Sequence, residues 1–471
     1  MNDSTLMIEG SEVSRHNAVQ DCWVVIHGKI WDVSDFLEEH PGGINVLLKL
    51  AGRDATKSYD AVHDPELVAH TLAPERCRGI LKPDSLPRQG EEDVVDMKEK
   101  SRERFLPLGA IVNVDDFEKV AQSYLTPTGW AYYSSGAEDE LSLTDSRRLF
   151  RKIAFRPRVL RRVEPVSAAT KILGLESSLP LYISPTGLGR YAYKDAESVI
   201  ARAAGHEGLI YCMPTTAAHE AVFNARTSSD QPLFFQLYAN RDRQKTQVLL
   251  RKMEKLGAAA IFLTVDSPVL GRRERDDRVK VADGELLSTG VAKASSAGLL
   301  NPLLTWEDVD WIRRDTNIPI VIKGIQTVED AILAHKHGVH GIVLSNHGGR
   351  SLDTAQSPIL TLLEIRKHAP HLLSNETRGK FQVFIDGGIR RGTDVLKALA
   401  LGASAVGVGR PFLYALTAGY GERGVRRLVE MLRTEIETNM ALMGAVCIDE
   451  LVSEMINSER AERDMSRRVK L

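Results

Sequence analysis

Eight short apolar segments between residues 179 and 412 constrain the fold more than any other feature of the chain. They are LPLYISPT (179–186), LIYCMPTT (209–216), PLFFQLYA (232–239), AAIFLTVDSP (259–268), PIVIKG (319–324), GIVLSNHGG (341–349), FQVFIDGG (381–388) and AVGVGRPF (405–412). Strands that are hydrophobic throughout, separated by amphipathic stretches, are typical of parallel sheets covered by crossover helices. Eight such units predict an α/β protein with a (β/α)8 TIM barrel. The alternative is an open doubly wound sheet. No GxGxxG motif follows the first strand, which argues against that sheet binding a dinucleotide.

The rest of the chain divides by composition. Residues 8–83 form one small unit, and residues 84–108 are rich in Pro, Gly and charge, which predicts a linker. The barrel is expected to span 109–455 and to be followed by a C-terminal tail at 456–471. Within the barrel, residues 276–304 are small, polar and Gly-rich, and they predict a mobile loop over the barrel mouth.

Charge and cysteine usage exclude several classes of protein. The chain has 61 Lys and Arg against 63 Asp and Glu, so it lacks the basic excess of a nucleic-acid-binding protein. Its 4 cysteines are far apart and form no CxxC pair, which argues against a disulfide scaffold or a cysteine-rich metal site. No apolar run approaches the roughly 18 residues of a membrane span.

Two histidines of the N-terminal unit, His40 in EEHPGG and His63 in YDAVHDP, are candidate metal ligands. Glycines beside His40 leave room for a flat macrocycle to approach the backbone. The segment DCWVVIHGKIWDVSDFLEEHPGG, followed by AGRDAT and by a second histidine 63 − 40 = 23 residues after the first, resembles the cytochrome b5 family, a small α+β fold. The resemblance implies haem b with both histidines on the iron. No axial position is then left for O₂, so the implied role is electron transfer.

Acidic residues lie near the expected haem edge. They form either a solvated face or a docking patch for a basic electron acceptor, whose encounter the charge would steer. The residues are Glu38, Glu39, Asp54, Asp60, Asp64 and Glu66.

Polar residues at the carboxyl ends of the barrel strands are candidates for chemistry, because active sites of such barrels lie at that end. Lys323 interrupts an apolar strand, where a lysine is rare without a partner. The turns DGGIRRG and GVGRP offer glycine amides and arginines where many barrels hold a phosphate. The other strand-end candidates are Ser184, Thr186, Gly187, Gln236, Tyr238, Thr264, Asp266, Arg273, His347 and Arg350.

Several motifs in order give the barrel a family resemblance. They are YYSSGAEDE, FQLYANRDR, TVDSP, LGRRE, VIKG, LSNHGGR, DGGIRRGTDV and GVGRPF. Residues from about 110 to 450 resemble the FMN-dependent α-hydroxy acid oxidase/dehydrogenase family, and the whole chain resembles the flavocytochrome b2 type, which joins this barrel to a haem domain. The resemblance implies that FMN oxidises an L-2-hydroxy acid to the 2-oxo acid. Electrons then pass singly to haem b and on to an external acceptor such as cytochrome c.

The resemblance also implies catalytic roles. His347 is the expected base at the substrate α-carbon, whether the step is hydride transfer or proton abstraction through a carbanion. Asp266 is expected to bond the far nitrogen of that ring and to stabilise the imidazolium. Substrate contacts are implied for Arg350 and Tyr132 at the carboxylate, and for Tyr238 and Arg273 at the hydroxyl or developing carbonyl.

Cofactor contacts are implied in the same way. Lys323 is expected beside the N1–C2 edge of the flavin, where it would stabilise negative charge on the reduced ring. The implied set is Thr186, Thr215, Gln236 and Thr264 at the isoalloxazine, Asp386 at the ribityl chain, Arg390, Gly409 and Arg410 at the phosphate, and Ser184, Gly187, Gly387 and Gly388 around them.

Two positions bear on the substrate. Relatives that use lactate tend to carry alanine and leucine where this chain has Gly187 and Ala217. The smaller residues predict a wider apolar pocket and a bulkier 2-hydroxy acid such as L-mandelate, with about 0.8 kcal/mol available per additional buried CH₂. Lactate is the alternative substrate.

Two other functions compete with this interpretation. An oxidase would return electrons to O₂, which would make the haem superfluous. A non-catalytic haem or redox-partner module would tolerate the loss of catalytic residues, whereas His347, Arg350, Asp266, Tyr132 and Lys323 are all present.

Assembly and location are expectations only. The resemblance leads us to expect a homotetramer in the cytoplasm or the mitochondrial intermembrane space. A peroxisomal location is disfavoured because the C-terminal SRRVKL only weakly matches the peroxisomal signal.

Overall fold

The computed structural model describes residues 6–37, 39–40, 44–60, 63, 65, 67–83, 85–86, 105–282 and 300–465. The chain divides into two compact units, Met1–Phe105 with Asp276–Leu300, and Leu106–Arg275 with Asn301–Leu471. The division after Phe105 falls inside the predicted linker 84–108. Only residues 85–86 and 105–108 of that linker are described, so the linker stays a prediction.

The N-terminal unit is an α+β domain with a five-stranded sheet in the order β1-β5-β4-β3-β2. The turn between β3 and β4 is His27-Gly28, and both residues have positive φ, as a tight two-residue hairpin requires. In β3, Cys22, Val24 and Ile26 face one apolar cluster while Val25 faces another, because side chains alternate along a strand. The strands are β1 (Met7–Ile8), β2 (Asn17–Ala18), β3 (Asp21–Ile26), β4 (Lys29–Asp32) and β5 (Cys77–Leu81), and the helices are Gly10–Val13, Ile44–Leu48, Thr56–Asp60 and Leu67–Thr71.

The second unit is built on a closed barrel of eight parallel strands, each from one of the eight apolar segments. The strands are β9 (Leu181–Ile183), β10 (Ile210–Met213), β11 (Leu233–Leu237), β12 (Ala260–Thr264), β13 (Ile320–Ile325), β14 (Gly341–Leu344), β15 (Gln382–Ile385) and β16 (Ala405–Val408). The barrel closes where β16 pairs with β9. The (β/α)8 prediction is therefore confirmed, and the open doubly wound alternative is wrong.

The barrel core is aromatic. Tyr182, Phe234, Phe262 and Phe384 pack against one another, with ring centroids 5.1 to 6.5 Å apart. All four side chains are completely buried, so the strands that carry the polar residues stand on a rigid apolar base.

Several helices of the second unit begin or end with common capping residues. The side chain of Asn113 accepts the backbone N–H of Asp116, while Gly208, Gly257 and Gly444 end their helices at positive φ. None of the helices within the described ranges is long and apolar enough to cross a membrane. The helices are Val114–Tyr124, Pro127–Ser134, Leu141–Arg148, Ala196–Glu207, His219–Asn224, Arg243–Leu256, Trp306–Asp315, Val328–Lys336, Pro358–His368, Asn375–Arg378, Gly392–Ala400, Arg410–Leu416, Gly421–Met443 and Glu459–Glu462. A further helix, Glu274–Ala282, begins in this unit and continues past its boundary at Arg275.

Short strands outside the barrel show that the predicted C-terminal tail begins too early in the sequence. β7 (Thr170–Ile172) and β8 (Leu175–Ser177) form a hairpin, and β6 (Ala154–Phe155) pairs with β17 (Ile456–Asn457). Ala461, beyond β17, is fully buried. Residues 456–465 are thus part of the folded unit rather than a tail, and 466–471 lie outside the described residues.

The predicted mobile loop 276–304 also needs correction. Its first seven residues, 276–282, belong to the helix Glu274–Ala282, because the polar segment ERDDRVKVA is rich in good helix formers. Residues 283–299 lie outside the described part of the chain, so the loop prediction is not tested there.

Candidate active site

The site at the carboxyl ends of the strands is organised around Asp266 and His347. Asp266 lies two residues after the end of β12, and His347 lies three residues after the end of β14. His347 has a φ of +57°, and Gly348 and Gly349 follow at +64° and +76°. This left-handed turn is unusual for a residue with a side chain, and it positions the imidazole ring at the end of the strand.

The two side chains form a hydrogen-bonded pair. His347 Nδ1 lies 2.7 Å from Asp266 Oδ1. The aspartate side chain is completely buried, whereas the histidine ring is 26% exposed. The pair therefore keeps the carboxylate away from water and leaves Nε2 as the ring nitrogen that can meet a substrate.

Lys323 is the buried cation of the site. Its Nζ lies 3.5 Å from Asp266 Oδ2, 3.8 Å from Asp386 Oδ2 and 3.3 Å from Ser345 Oγ. Its side chain is only 6% exposed. The lysine thus has the charged partners that burial requires, and it joins the ends of three strands.

A glycine makes the contact of Lys323 with Asp266 possible. Gly324 has a φ of +113°, and a Cβ placed there would lie 2.5 Å from the Cβ of Asp266. The pairing of β13 with β14 shifts register at the same point, between Lys323 and Ile325. Any larger residue at position 324 would push β12 and β13 apart where the catalytic side chains leave them.

Two opposing effects set the pKa values of these groups: burial disfavours each charged form, and the opposite charges of the neighbouring groups favour it. Burial alone would raise the pKa of Asp266, but His347 and Lys323 outweigh it and lower the value from 3.8 to about 2. Burial alone would lower the pKa of Lys323, but Asp266 and Asp386 raise it instead. For Tyr238, burial and the Asp266 charge both raise the pKa. At neutral pH the site therefore holds a carboxylate, an ammonium and a protonated phenol.

Two arginines contact the ring of Tyr132. The guanidinium of Arg350 lies 4.9 Å from the ring centroid of Tyr132, and that of Arg273 lies 5.3 Å from it. Arg350 also donates to the backbone carbonyls of Tyr132 and Ser135. The three residues predicted to bind a carboxylate and a hydroxyl thus lie together, held by cation–π contacts.

A polar network connects three of the predicted flavin contacts. Thr215 N donates to Gln236 Oε1 over 3.1 Å, and Gln236 Nε2 donates to Thr264 Oγ1 over 3.0 Å. Thr186 borders a glycine on the last strand, since a Cβ at Gly409 would lie 3.3 Å from Thr186 Cγ2. Donors and acceptors therefore follow the ends of β10, β11 and β12 in sequence, as a flat heterocycle requires.

The ribityl and phosphate positions also fit FMN. Asp386 Oδ1 is buried and finds no hydrogen-bond partner among the described residues, which suits a sugar-like hydroxyl. Gly387 and Gly388, which follow it, both have positive φ, and a Cβ at Gly388 would lie 2.2 Å from the carbonyl oxygen of Ser146. Arg410 is half-buried and donates to backbone carbonyl oxygens, including that of Gly348 at 2.8 Å, so its hydrogen bonds bring no compensating negative charge.

Arg390, the other predicted phosphate contact, is already paired. Its two terminal nitrogens donate to the carboxylate of Glu118 over 2.9 and 3.0 Å. Its guanidinium also lies 5.6 Å from the ring centroid of Tyr414. A phosphate at this end of the site would therefore share Arg390 with Glu118.

The sequence interpretation missed Ser345 and Glu118. Ser345 belongs to the LSNHGGR motif at the end of β14, and its hydroxyl accepts the backbone N–H of His347 as well as contacting Lys323. Its strand-end position was a usable signal. Glu118 lies 272 residues before Arg390, so no local pattern could have linked them.

The N-terminal unit brings His40 and His63 together. Their ring centroids are 5.9 Å apart. That distance is about what two imidazoles sharing one metal atom require, with metal–nitrogen bonds of roughly 2 Å each. His40 is buried, and Phe36 packs edge-on against its ring at 5.8 Å. The residues present therefore fit a haem with two histidine ligands.

These two sites define a haem- and flavin-dependent oxidoreductase, and comparison with known proteins gives the same class. The family model for FMN-dependent dehydrogenases matches residues 121–458, and that for the cytochrome b5-like haem/steroid-binding domain matches residues 9–88. The chain belongs to the FMN-dependent dehydrogenase family and carries a cytochrome b5-like domain. It is an FMN- and haem-dependent oxidoreductase of 2-hydroxy acids.

Individual relatives agree with this assignment. The L-lactate dehydrogenase (cytochrome) of Wickerhamomyces anomalus is 40% identical over 95% of this chain and 79% of its own length, and that of Saccharomyces cerevisiae is 40% identical over 96% and 79%. Glycolate oxidase 5 of Oryza sativa is 39% identical over 75% of this chain and 97% of its own. Among solved structures, a double mutant of flavocytochrome b2 with pyruvate bound has a TM-score of 0.73 and 40% identity, covering 81% of this chain and 95% of that one.

Proposed function

We propose that this enzyme oxidises an L-2-hydroxy acid bulkier than lactate, of the mandelate type. His347 acts as the base, and electrons leave through haem b to a cytochrome c-like acceptor. The observation that carries the catalytic part is the buried ion pair of Lys323 with Asp266, at 3.5 Å, together with the hydrogen bond of 2.7 Å between Asp266 and His347. Bound FMN supplies the two-electron acceptor.

The protein groups act on one proton and one carboxylate. Nε2 of His347 takes the proton from the substrate, and Asp266 stabilises the imidazolium that results. Arg350 and Arg273, both in contact with the ring of Tyr132, neutralise the substrate carboxylate and the oxygen on the α-carbon. Lys323 remains cationic at the end of β13 and would offset negative charge that builds up on bound FMN.

Pocket size supports the bulkier substrate. β9 and β10 are neighbours in the barrel, and a Cβ at Gly187 would lie 3.1 Å from Oγ1 of Thr216, the residue before Ala217. Gly187 thus lies next to the segment that carries Ala217, and the two small residues together leave out four carbon atoms relative to alanine plus leucine. A leucine-to-alanine mutant of flavocytochrome b2 has been solved with benzoylformate, the 2-oxo acid that mandelate would give.

Anaerobic visible spectroscopy tests the proposal. L-mandelate should bleach the flavin band faster than L-lactate does and should then produce the sharp bands of reduced haem b. The Gly187→Ala/Ala217→Leu variant should reverse the order of the two substrates. An unchanged preference in the variant would refute the pocket argument.

Two further results would change the acceptor. Flavin bleaching with the haem still oxidised, together with O₂ consumption in air, would favour an oxidase such as the glycolate oxidases. A mandelate oxidase of known structure is also similar to this chain, with 37% identity and a TM-score of 0.66 over 74% of this chain and 98% of its own. No response to any 2-hydroxy acid would refute the proposed chemistry.

The tetramer, and the cytoplasm or mitochondrial intermembrane space as location, stay predictions. Of the acidic patch predicted to dock the acceptor, Glu38, Asp64 and Glu66 lie outside the described residues.

A further inference from the structure

Two serine hydroxyls lie beside the His347–Asp266 pair. Ser267 Oγ is 3.2 Å from His347 Nδ1 and 3.3 Å from Asp266 Oδ1. Its third neighbour is Ser351 Oγ, at 3.1 Å. One hydroxyl thus touches both members of the pair and connects them to a second hydroxyl.

Close backbone packing holds the two serines together. Ser267 begins the segment that leads to Gly271, and a Cβ at Gly271 would lie 2.2 Å from the carbonyl oxygen of Ser351 and 2.3 Å from that of Arg350. The segment after β12 can therefore lie directly on the turn after His347 only because position 271 is glycine. The hydroxyl contacts are a product of this packing between two loops of the same unit.

The direction of each hydrogen bond follows from the ionised aspartate. A carboxylate only accepts, so the proton between the pair must lie on Nδ1 of His347. Ser267 consequently cannot donate to Nδ1, and it presents its oxygen to the Nδ1–H group. Its own proton goes to Asp266 or to Ser351. In both cases the negative end of the hydroxyl dipole faces the imidazole ring.

We propose that Ser267 is a positioning residue for the base: its oxygen keeps the Nδ1–H of His347 directed at Asp266 and stabilises the ring once it is protonated. Ser351 orients the Ser267 hydroxyl from the other side. This inference rests on His347 being the base of the proposed function. It adds a group that sets how readily the base holds its proton without touching the substrate.

The other charged and titratable groups of the site stay in place when a serine is replaced. They are Asp266, Lys323, Arg273, Arg350, Tyr132 and Tyr238. A shift in pH dependence after Ser267→Ala therefore reports the loss of the hydroxyl.

The first test is the pH profile of kcat/KM for L-mandelate in the holoenzyme. A net hydrogen bond of ordinary strength corresponds to roughly 0.5 to 1 pH unit. Ser267→Ala should move the midpoint of the acidic limb down by that amount and lower the plateau about three- to tenfold. Ser267→Thr keeps the hydroxyl and should restore the wild-type midpoint. Ser351→Ala should shift the midpoint in the same direction by less than half as much.

The second test needs no turnover. Of the two protonation states of a histidine ring, diethyl pyrocarbonate modifies only the neutral one. Its rate of reaction with His347, followed by peptide mass spectrometry across pH in the FMN- and haem-loaded protein, therefore reports ring protonation directly. The midpoint should shift down in Ser267→Ala as it does in the kinetic profile. A midpoint equal to that of wild type would overturn the inference, whatever the fall in rate. If wild type oxidises no 2-hydroxy acid, the proposed function fails, and the modification profile still decides the role of Ser267.

Discussion

Replacing Asp266 by Asn removes one buried negative charge at nearly constant volume. The carboxylate contacts His347 Nδ1 at 2.7 Å and Lys323 Nζ at 3.5 Å. At an effective dielectric constant of about 20, opposite charges 3.5 Å apart attract by about 5 kcal/mol before desolvation is subtracted. The net effect is smaller: a carboxyl pKa of about 2 instead of 3.8 corresponds to roughly 2.5 kcal/mol.

The free energy of unfolding of Asp266→Asn should be lower than that of wild type by about the same amount. Because the pKa of Asp266 is lowered in the folded state, its contribution is fully present above the unfolded value of 3.8 and is lost as the pH falls towards about 2. Asp266→Asn should therefore unfold in urea at pH 5 with a free energy lower by roughly 2 to 3 kcal/mol. Below pH 4 the difference from wild type should shrink.

The catalytic effect should be larger than the effect on stability. An amide neither fixes the tautomer of His347 nor stabilises the imidazolium, so flavin reduction by excess substrate, followed by anaerobic stopped flow, should slow about 10² to 10⁴-fold. Asp310→Asn is the matched control, because Asp310 accepts from His337 at 2.9 Å on the surface, where its side chain is 37% exposed. It should leave the rate unchanged. A rate for Asp266→Asn within fivefold of wild type would refute the pairing argument.

Three other substitutions test separate parts of the structure. Gly324→Ala forces a Cβ to within 2.5 Å of that of Asp266 at a φ of +113° and should lower the thermal midpoint of unfolding by several degrees. Gly379→Ala is the control, because a Cβ there meets nothing within 4 Å, and it should leave the midpoint unchanged. Equal midpoints for the two variants would contradict the argument. Glu118→Gln should tighten FMN binding severalfold in a fluorescence titration, because the carboxylate no longer competes with phosphate for its arginine; weaker binding would show that Glu118 orients that arginine instead. His63→Ala should abolish the absorbance of bound haem b while flavin reduction persists, and a retained haem spectrum would exclude His63 as a ligand.

The barrel could be predicted from sequence because its strands are buried on both faces. Each strand consists almost entirely of apolar residues, and the polar residues follow at one end, as in IVIKG and FIDGG. The site residues could be located for the same reason, since they belong to motifs that end strands. Asp266 and His347 are 81 residues apart, yet both positions could be inferred from strand ends alone.

The parts that could not be predicted depend on contacts without a local pattern. The helix Glu274–Ala282 is polar on all sides, so its sequence looks like that of a loop. β17 is only two residues long and is stabilised by pairing with β6, some 300 residues earlier. The pairing of Arg390 with Glu118, and the packing that brings Ser267 to His347, arise from tertiary structure in the same way.

The left-handed backbone of His347 carries a consequence for how this enzyme can change over evolutionary time. A side chain at φ +57° costs of order 1 kcal/mol, and glycine adopts that conformation more readily than any residue with a side chain. Exchanging the histidine for glycine would remove that cost, but it would also take away the hydrogen bond of 2.7 Å that stabilises the buried carboxylate of Asp266. A lineage that no longer needed the reaction would therefore gain stability only by exchanging Asp266 and His347 together, so the two positions should change as a pair.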